Sequence, residues 1–153
     1  MPSYHSRDLR KHRHSEVGNY YLLTAVIRNR VPVFHDFLAA RICINSLQFQ
    51  HHQGLVNSLA FVVMPDHFHW LVELRQGELP GLMKAVKGRV ARLVNAHRGT
   101  TGGLWQDGYH DHALRQDGDL LGAARYLVAN PLRAGLVDDL HDYPHWDAVW
   151  LEE

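Results

Sequence analysis

Sixteen residues from Leu59 to Leu74 constrain this chain more than any other stretch: Leu-Ala-Phe-Val-Val-Met-Pro-Asp-His-Phe-His-Trp-Leu-Val-Glu-Leu. Two runs rich in β-branched and aromatic residues flank Pro65-Asp66, a dipeptide with turn chemistry, which predicts two antiparallel strands joined by a tight connection. Alternate residues of a strand share a face, so Phe68, Trp70, Val72 and Leu74 point one way and His67 and His69 the other. One face is apolar enough to bury. The other begins with two imidazoles at a spacing that lets both ligate one metal ion. With 13 histidines in 153 residues, two solvated side chains on a polar strand face would look the same.

The length suits one domain, and 46% hydrophobic residues can fill its core. The apolar runs are short and broken by charges, so no membrane-spanning segment is expected, and the Met-Pro-Ser-Tyr-His start lacks a secretory apolar region. A cytoplasmic chain follows. Cys43 is the only cysteine, which excludes an internal disulfide and a thiolate zinc cluster; in Arg-Ile-Cys-Ile it reads as core. Net charge is zero, but residues 1–98 hold 13 Lys/Arg against 6 Asp/Glu and residues 99–153 hold 3 against 10. Such asymmetry points to a basic face for a polyanion unless the two halves interleave and cancel.

Along the chain, residues 1–16 carry Arg7, Arg10, Lys11 and Arg13 without apolar periodicity and read as a basic arm. Asn19 to Ile27 form a first strand, followed by Arg28 and Arg30 in a turn. From Val33 to about Gln50 the residues Phe34, Phe37, Leu38, Ile42, Ile44 and Leu47 are spaced for a first helix. Pro80 lies near the start of a second, running to about His97, with Leu82, Val86, Val90, Leu93 and Val94 as its buried stripe. Lys84, Lys87, Arg89 and Arg92 make its remaining surface basic, either a solvated face or one that tracks phosphates.

Leu104-Trp105-Gln106 and Tyr109 to Leu114 give a short fourth strand, with His110 and His112 as a lower-ranked rival histidine pair. Trp105 and Tyr109 either stack an unpaired base or belong to the core. A third helix runs from about Asp117 to Ala129 and stops before Pro131. Tyr126 and Asn130, four apart, project from one of its faces, as a functional pair or as a half-buried phenol and a helix cap. Residues 138–153 read as an irregular tail pinned by Tyr143, Trp146 and Trp150. The order βαββαβ predicts an α+β, ferredoxin-like antiparallel sheet with helices on one face, plus a C-terminal helix carrying the tyrosine. The sheet's other face, with His67 and His69, is left open.

Four blocks in order now carry a resemblance: Tyr21-Leu-Leu-Thr with Arg28-Asn-Arg30; Met64-Pro-Asp-His-Phe-His-Trp-Leu-Val72; Gly103-Leu-Trp-Gln-Asp-Gly-Tyr-His-Asp-His-Ala-Leu-Arg115; and Tyr126-Leu-Val-Ala-Asn-Pro-Leu-Arg-Ala-Gly-Leu-Val137. The chain resembles the single-tyrosine HUH transposases, and within them the REP-associated tyrosine transposase branch. It departs at Asp66, where the family more often has asparagine, and at Asp107, where a basic residue is frequent; either change could weaken local DNA contacts. The resemblance implies that residues 17–137 are the transposase domain. It also implies His67, His69 and Asn130 as ligands of Mg²⁺, with Mn²⁺ as a substitute, and Tyr126 as nucleophile. A phenol with an ordinary pKa of about 10 is a poor nucleophile at neutral pH and needs such help.

The implied substrate is single-stranded DNA folded as a hairpin, and the implied product a 5′-phosphotyrosine link. The DNA contacts then fall to Arg7, Arg10, Lys11, Arg13, Arg28, Arg30, Lys84, Lys87, Arg89, Arg92, Trp105 and Tyr109. A monomer is expected, with a homodimer as alternative, in a bacterial, nucleoid-associated setting. Two other readings stand beside this one: a hairpin-binding protein without catalysis, and a small metal-dependent hydrolase with no DNA role.

Overall fold

The computed structural model describes residues 15–115 and 118–149. The predicted hairpin forms: β2 (Val56–Met64) and β3 (His67–Leu74) pair antiparallel around the two-residue turn Pro65-Asp66. β1 (Tyr20–Val26) pairs with the other edge of β3, and β4 (His110–Leu114) with the outer edge of β1. The sheet order is therefore β4-β1-β3-β2, the expected ferredoxin-like arrangement, extended by a fifth antiparallel strand, β5 (Trp146–Ala148), on β2. That strand lies in the stretch read as an irregular tail. Its three residues are too few to carry an alternating pattern, and its place is set by pairing with β2 and by Tyr143 Oη donating to the Val63 carbonyl. The basic arm with Arg7, Arg10, Lys11 and Arg13 lies outside the described residues.

Helices α1 (Phe37–His52) and α2 (Leu79–Arg98) both pack on the sheet face formed by Leu23, Ala25, Phe61, Val63, Phe68, Trp70, Val72 and Leu74. Trp70 is fully buried there and its indole N–H donates to Ser58 Oγ at 3.0 Å, so the largest core side chain leaves no unpaired donor. The first helix starts later than Val33. Asp36 accepts from the amides of Leu38 and Ala39 as its N-cap, and Val33–His35 form a separate 3₁₀ turn. With that start, Phe37 and Leu38 lie on the outer side of the first turn and are exposed, while Ala39, Ala40, Cys43, Ile44 and Leu47 are buried. The second helix ends at Gly99, whose φ of 66° is the left-handed conformation that favours glycine.

The second sheet face is not bare. Helix α3 (Gly118–Val128) lays Leu120, Ala124, Leu127 and Val128 against Ala60, Val62, Met64 and Leu71. The open surface foreseen for the sheet is thus reduced to the β1–β3–β4 part around His67, His69 and His110. Beyond Ala129 the chain makes one further helical turn, α4 (Asn130–Arg133), so the proline ends one helix and enters the first turn of the next. Asn130 opens that short helix instead of capping the previous one.

Candidate active site

His67 and His69 share one face of β3, as their spacing requires, with ring centroids 4.9 Å apart. Each ring is fixed through Nδ1. His67 Nδ1 lies 2.7 Å from Asp66 Oδ1, and an ionised carboxylate only accepts, so the proton sits on Nδ1. His69 Nδ1 lies 2.6 Å from Thr24 Oγ1, across the β1–β3 pair. Both rings are therefore oriented through Nδ1, and for His67 the carboxylate acceptor leaves the Nε2 lone pair available, the arrangement seen when an imidazole is oriented for metal binding by a neighbouring acceptor.

Asp66 is itself held by Arg30, whose Nη1 donates to Oδ2 at 3.2 Å. Partial burial opposes ionisation of Asp66, but the hydrogen bonds and charges of His67 and Arg30 together keep its carboxyl below the usual range. The departure from the family's asparagine at this position thus sits in a chain of contacts from Arg30 to a histidine ring. Arg28 and Arg30 both border the Pro65-Asp66 turn, because the amide of Ile27 bonds the Asp66 carbonyl at 2.8 Å.

Burial, followed by the charges of His67, Arg133 and His110, pushes His69 down from 6.5 to about 4. At neutral pH its ring is uncharged. The unfolded chain then binds more protons than the folded one between these two values, so stability falls as pH drops through this window. Going from pH 7 to pH 5, this one group is expected to remove about 1–2 kcal/mol from the metal-free protein. Urea denaturation of wild type and His69→Gln at both pH values checks it, since the variant should lose that part of the dependence.

Tyr126 lies on α3 and is 64% exposed. It borders a cleft of about 610 Å³ whose walls include Leu22, His112, Leu114 and Gly122. Leu22 and His112 belong to the sheet face that carries His69, because Leu22 pairs with His112 and Thr24 with both His69 and His110. The phenol is on the same side of the molecule as the imidazoles. Asn130 is joined to it through Arg133, which donates to Asn130 Oδ1 at 2.8 Å and places its guanidinium carbon 3.8 Å from the Tyr126 ring centroid. Arg133 was absent from the sequence-based set. The signal that could have found it is its spacing of three from Asn130 across a short helical turn.

The two histidine pairs treated as rivals lie on one face, separated by β1, and His110 is close enough for its charge to act on His69. Among the described residues no three His, Cys, Asp or Glu side chains are grouped to hold a metal. A donor set built on His67 and His69 is therefore completed by an amide oxygen or by oxygens from outside the chain.

Several residues named as DNA contacts are engaged within the fold. Trp105 and Tyr109 are each 6% exposed and belong to the core beneath α2. Trp105 packs on Phe34 and Phe68, and its indole N–H donates to the Lys87 carbonyl at 3.0 Å. Of the two readings of these rings, their burial fits the core one. Trp105→Ala is expected to cost about 3–5 kcal/mol of stability, measured by chemical denaturation, without selectively weakening DNA binding by the folded protein. Lys87 also turns inward, with Nζ donating to the carbonyls of Gln106 and Gly108 at 3.1 and 2.7 Å. Arg89 lies over the Phe49 ring at 4.1 Å.

Lys84 and Arg92 are exposed, but α2 covers the Phe68–Trp70 face, so they belong to the layer opposite the imidazoles. Arg28 lies against Gly103, where an added Cβ would meet its guanidinium at 2.7 Å. Of the expected basic contacts within the described residues, Arg30 is thus the one tied to the histidine pair, through Asp66.

The family model described as "Transposase IS200 like" matches residues 16–128, from before β1 to the end of α3. The chain belongs to the IS200-like transposase family. A Haemophilus influenzae protein assigned to the REP-associated tyrosine transposases is 23% identical to this transposase over 140 residues, covering 84% of this chain and 78% of its own. The Escherichia coli REP-associated tyrosine transposase is 26% identical over 87 residues, 56% of this chain and 50% of its own.

Among solved structures, a REP-associated tyrosine transposase bound to a REP hairpin superposes with a TM-score of 0.74 at 21% identity, covering 95% of this chain and 82% of that one. A Deinococcus radiodurans protein assigned as a transposase gives 0.53 at 24%, covering 75% and 92%. At these identities the structural likeness speaks for the fold. The resemblance carried by the four sequence blocks is borne out at the level of family and fold. No helix among the described residues is long and apolar enough to cross a membrane.

Proposed function

We propose that this transposase is a divalent-metal-dependent enzyme that nicks and rejoins single-stranded DNA beside hairpin-forming palindromic repeats, through a 5′-phosphotyrosine intermediate. The observation that supports this reading most is that His67 and His69 sit together on one sheet face, with Tyr126 on the helix packed over that side and Arg133 linking Tyr126 to Asn130.

The donor set fits a hard or borderline cation. Two neutral imidazoles and an amide oxygen leave coordination positions for phosphate and water. His67, His69 and Asn130 would hold it, with Mg²⁺ as the resident ion and Mn²⁺ able to replace it. When bound, such an ion neutralises charge on the phosphodiester oxygens.

The rest of the work falls to side chains. Asp66 holds His67 in one tautomer and orientation, and Thr24 holds the orientation of the His69 ring. The Tyr126 oxygen attacks the phosphorus in line with the 3′ oxygen of the upstream nucleotide. An O–P bond forms to the phenol, the P–O3′ bond breaks, and the departing 3′ oxygen takes up a proton. The phenol proton passes to solvent water, which reaches the ring because Tyr126 is exposed. The phosphodiester is exchanged and not hydrolysed, so a 3′-hydroxyl can attack the phosphotyrosine and reseal or transfer the strand without ATP.

A hairpin substrate is the natural choice, since the structural relative carries a REP hairpin. Arg28 and Arg30 would take backbone phosphates at the histidine end of the sheet, making affinity strongly salt-dependent. The protein is taken to act as a monomer.

The test is incubation of 3′-labelled palindromic hairpin DNA with Mg²⁺ or Mn²⁺, followed by a denaturing gel. A labelled strand shifted by the mass of the protein, absent without metal, is the expected product. Free nicked DNA with no adduct at any time point would point to hydrolysis, and unaltered DNA bound in a native gel would point to a hairpin-binding protein without catalysis.

A further inference from the structure

Arg133 ends the short helix α4 and is itself exposed, yet it is not left to solvent. The single helical turn entered through Pro131 carries residue 133 back beneath residue 130, as neighbours three apart on a helix do. Its Nη2 donates to Asn130 Oδ1 at 2.8 Å, and its guanidinium carbon lies over the Tyr126 ring, 3.8 Å from the centroid. That bond puts a fixed positive charge directly on the amide oxygen that would join the two imidazoles at a cation. A lysine could not replace this arrangement, because one compact ammonium cannot both cover the ring and reach Asn130 as the extended guanidinium does.

We propose that Arg133 is a positioning residue of the active site: it fixes the Tyr126 phenol and the Asn130 amide relative to each other, and its fixed charge weakens divalent-cation binding at the neighbouring imidazoles. This rests on the reading of Tyr126, His67, His69 and Asn130 given above.

The two effects of Arg133 oppose each other. Without Arg133 the phenol loses the cation stacked on its ring and samples more orientations, which slows attack. Without Arg133 the ion also meets one fewer positive charge, which tightens its binding. The Asn130 oxygen has two lone pairs, so its bond to Arg133 does not bar it from a cation. A residue that merely holds the fold together would weaken both properties when removed.

The experiment compares wild type, Arg133→Ala and Arg133→Lys. Mn²⁺ affinity is read from the free-ion EPR signal without DNA, and adduct formation from single-turnover reactions on the labelled hairpin. Arg133→Ala should bind Mn²⁺ about tenfold more tightly than wild type and form the adduct about tenfold more slowly, with DNA affinity little changed. Arg133→Lys should keep wild-type Mn²⁺ affinity and share the slow adduct formation, which separates charge from geometry.

Unchanged or weaker Mn²⁺ binding in Arg133→Ala overturns the inference, and so does adduct formation at the wild-type rate. If wild type forms no adduct, the functional reading itself has failed. That result is distinct from one in which wild type reacts and the Arg133 variants match it.

Discussion

Tyr126→Phe is expected to abolish the covalent protein–DNA adduct while leaving hairpin binding and stability in place. The substitution removes one oxygen and keeps the ring. The packing of α3 through Leu120, Ala124, Leu127 and Val128 does not involve the phenol oxygen, and the contact with Arg133 is made to the ring face. Stability should therefore change by no more than about 0.5 kcal/mol, as for other exposed side chains. DNA affinity in a native gel should match wild type, because the proposed phosphate contacts are on other residues. The chemistry has no substitute nucleophile in this scheme, so the expected loss is complete within detection. An adduct of undiminished yield would place the nucleophile elsewhere on the chain.

His67→Ala is expected to remove Mn²⁺ binding and to slow nicking by about a thousandfold or more, with Asp66→Asn giving a graded version of the same defect. The first deletes an imidazole whose Nε2 is the free donor of a ring fixed at Nδ1. The second keeps an acceptor oxygen but exchanges a carboxylate for a neutral amide, so His67 is held less firmly and becomes a weaker donor. Losses of 10–100-fold in metal affinity are typical of such partners, so about tenfold is expected here. Asp66→Asn also releases Arg30 from its 3.2 Å contact and frees it for a phosphate. Mn²⁺ affinity without DNA separates the two effects. A thousandfold loss of nicking in His67→Ala with unchanged Mn²⁺ binding would remove the histidine pair from the metal site.

The hairpin and the histidine face could be read from residues 59–74 because strand alternation and turn chemistry are local. The same holds for α2, whose Leu82, Val86, Val90 and Val94 are all buried. What the sequence could not supply was the assignment of shared surfaces to layers. The basic residues of α2 have the composition of a phosphate-tracking face. Which side of the sheet the helix covers depends on long-range packing, which puts Lys84 and Arg92 opposite the imidazoles.

Lys87 and Trp105 illustrate a second limit. A surface lysine and an aromatic residue near a glycine-rich stretch have the composition of a DNA interface, but their partners are backbone carbonyls and core rings that only the folded chain brings together. The late start of α1 was legible in principle. Asp36 directly precedes the helix as a capping residue, and weighing it above the apolar Phe34 would have placed Phe37 and Leu38 in an exposed first turn. Arg133 was hidden for another reason, since its role depends on two contacts made across the break between α3 and α4.

The claim on which everything else depends is that a cation at His67 and His69 and the Tyr126 phenol face the same phosphate. Paramagnetic relaxation tests it most directly: the protein carries isotopically labelled tyrosine, the Tyr126 ring signals are assigned by their disappearance in Tyr126→Phe, and Mn²⁺ is titrated in beside a Mg²⁺ control. The account predicts that Mn²⁺, and not Mg²⁺, broadens the Tyr126 signals beyond detection at the first substoichiometric additions, and that His67→Ala prevents it. Sharp Tyr126 signals in the presence of Mn²⁺ bound at the histidine pair would contradict it.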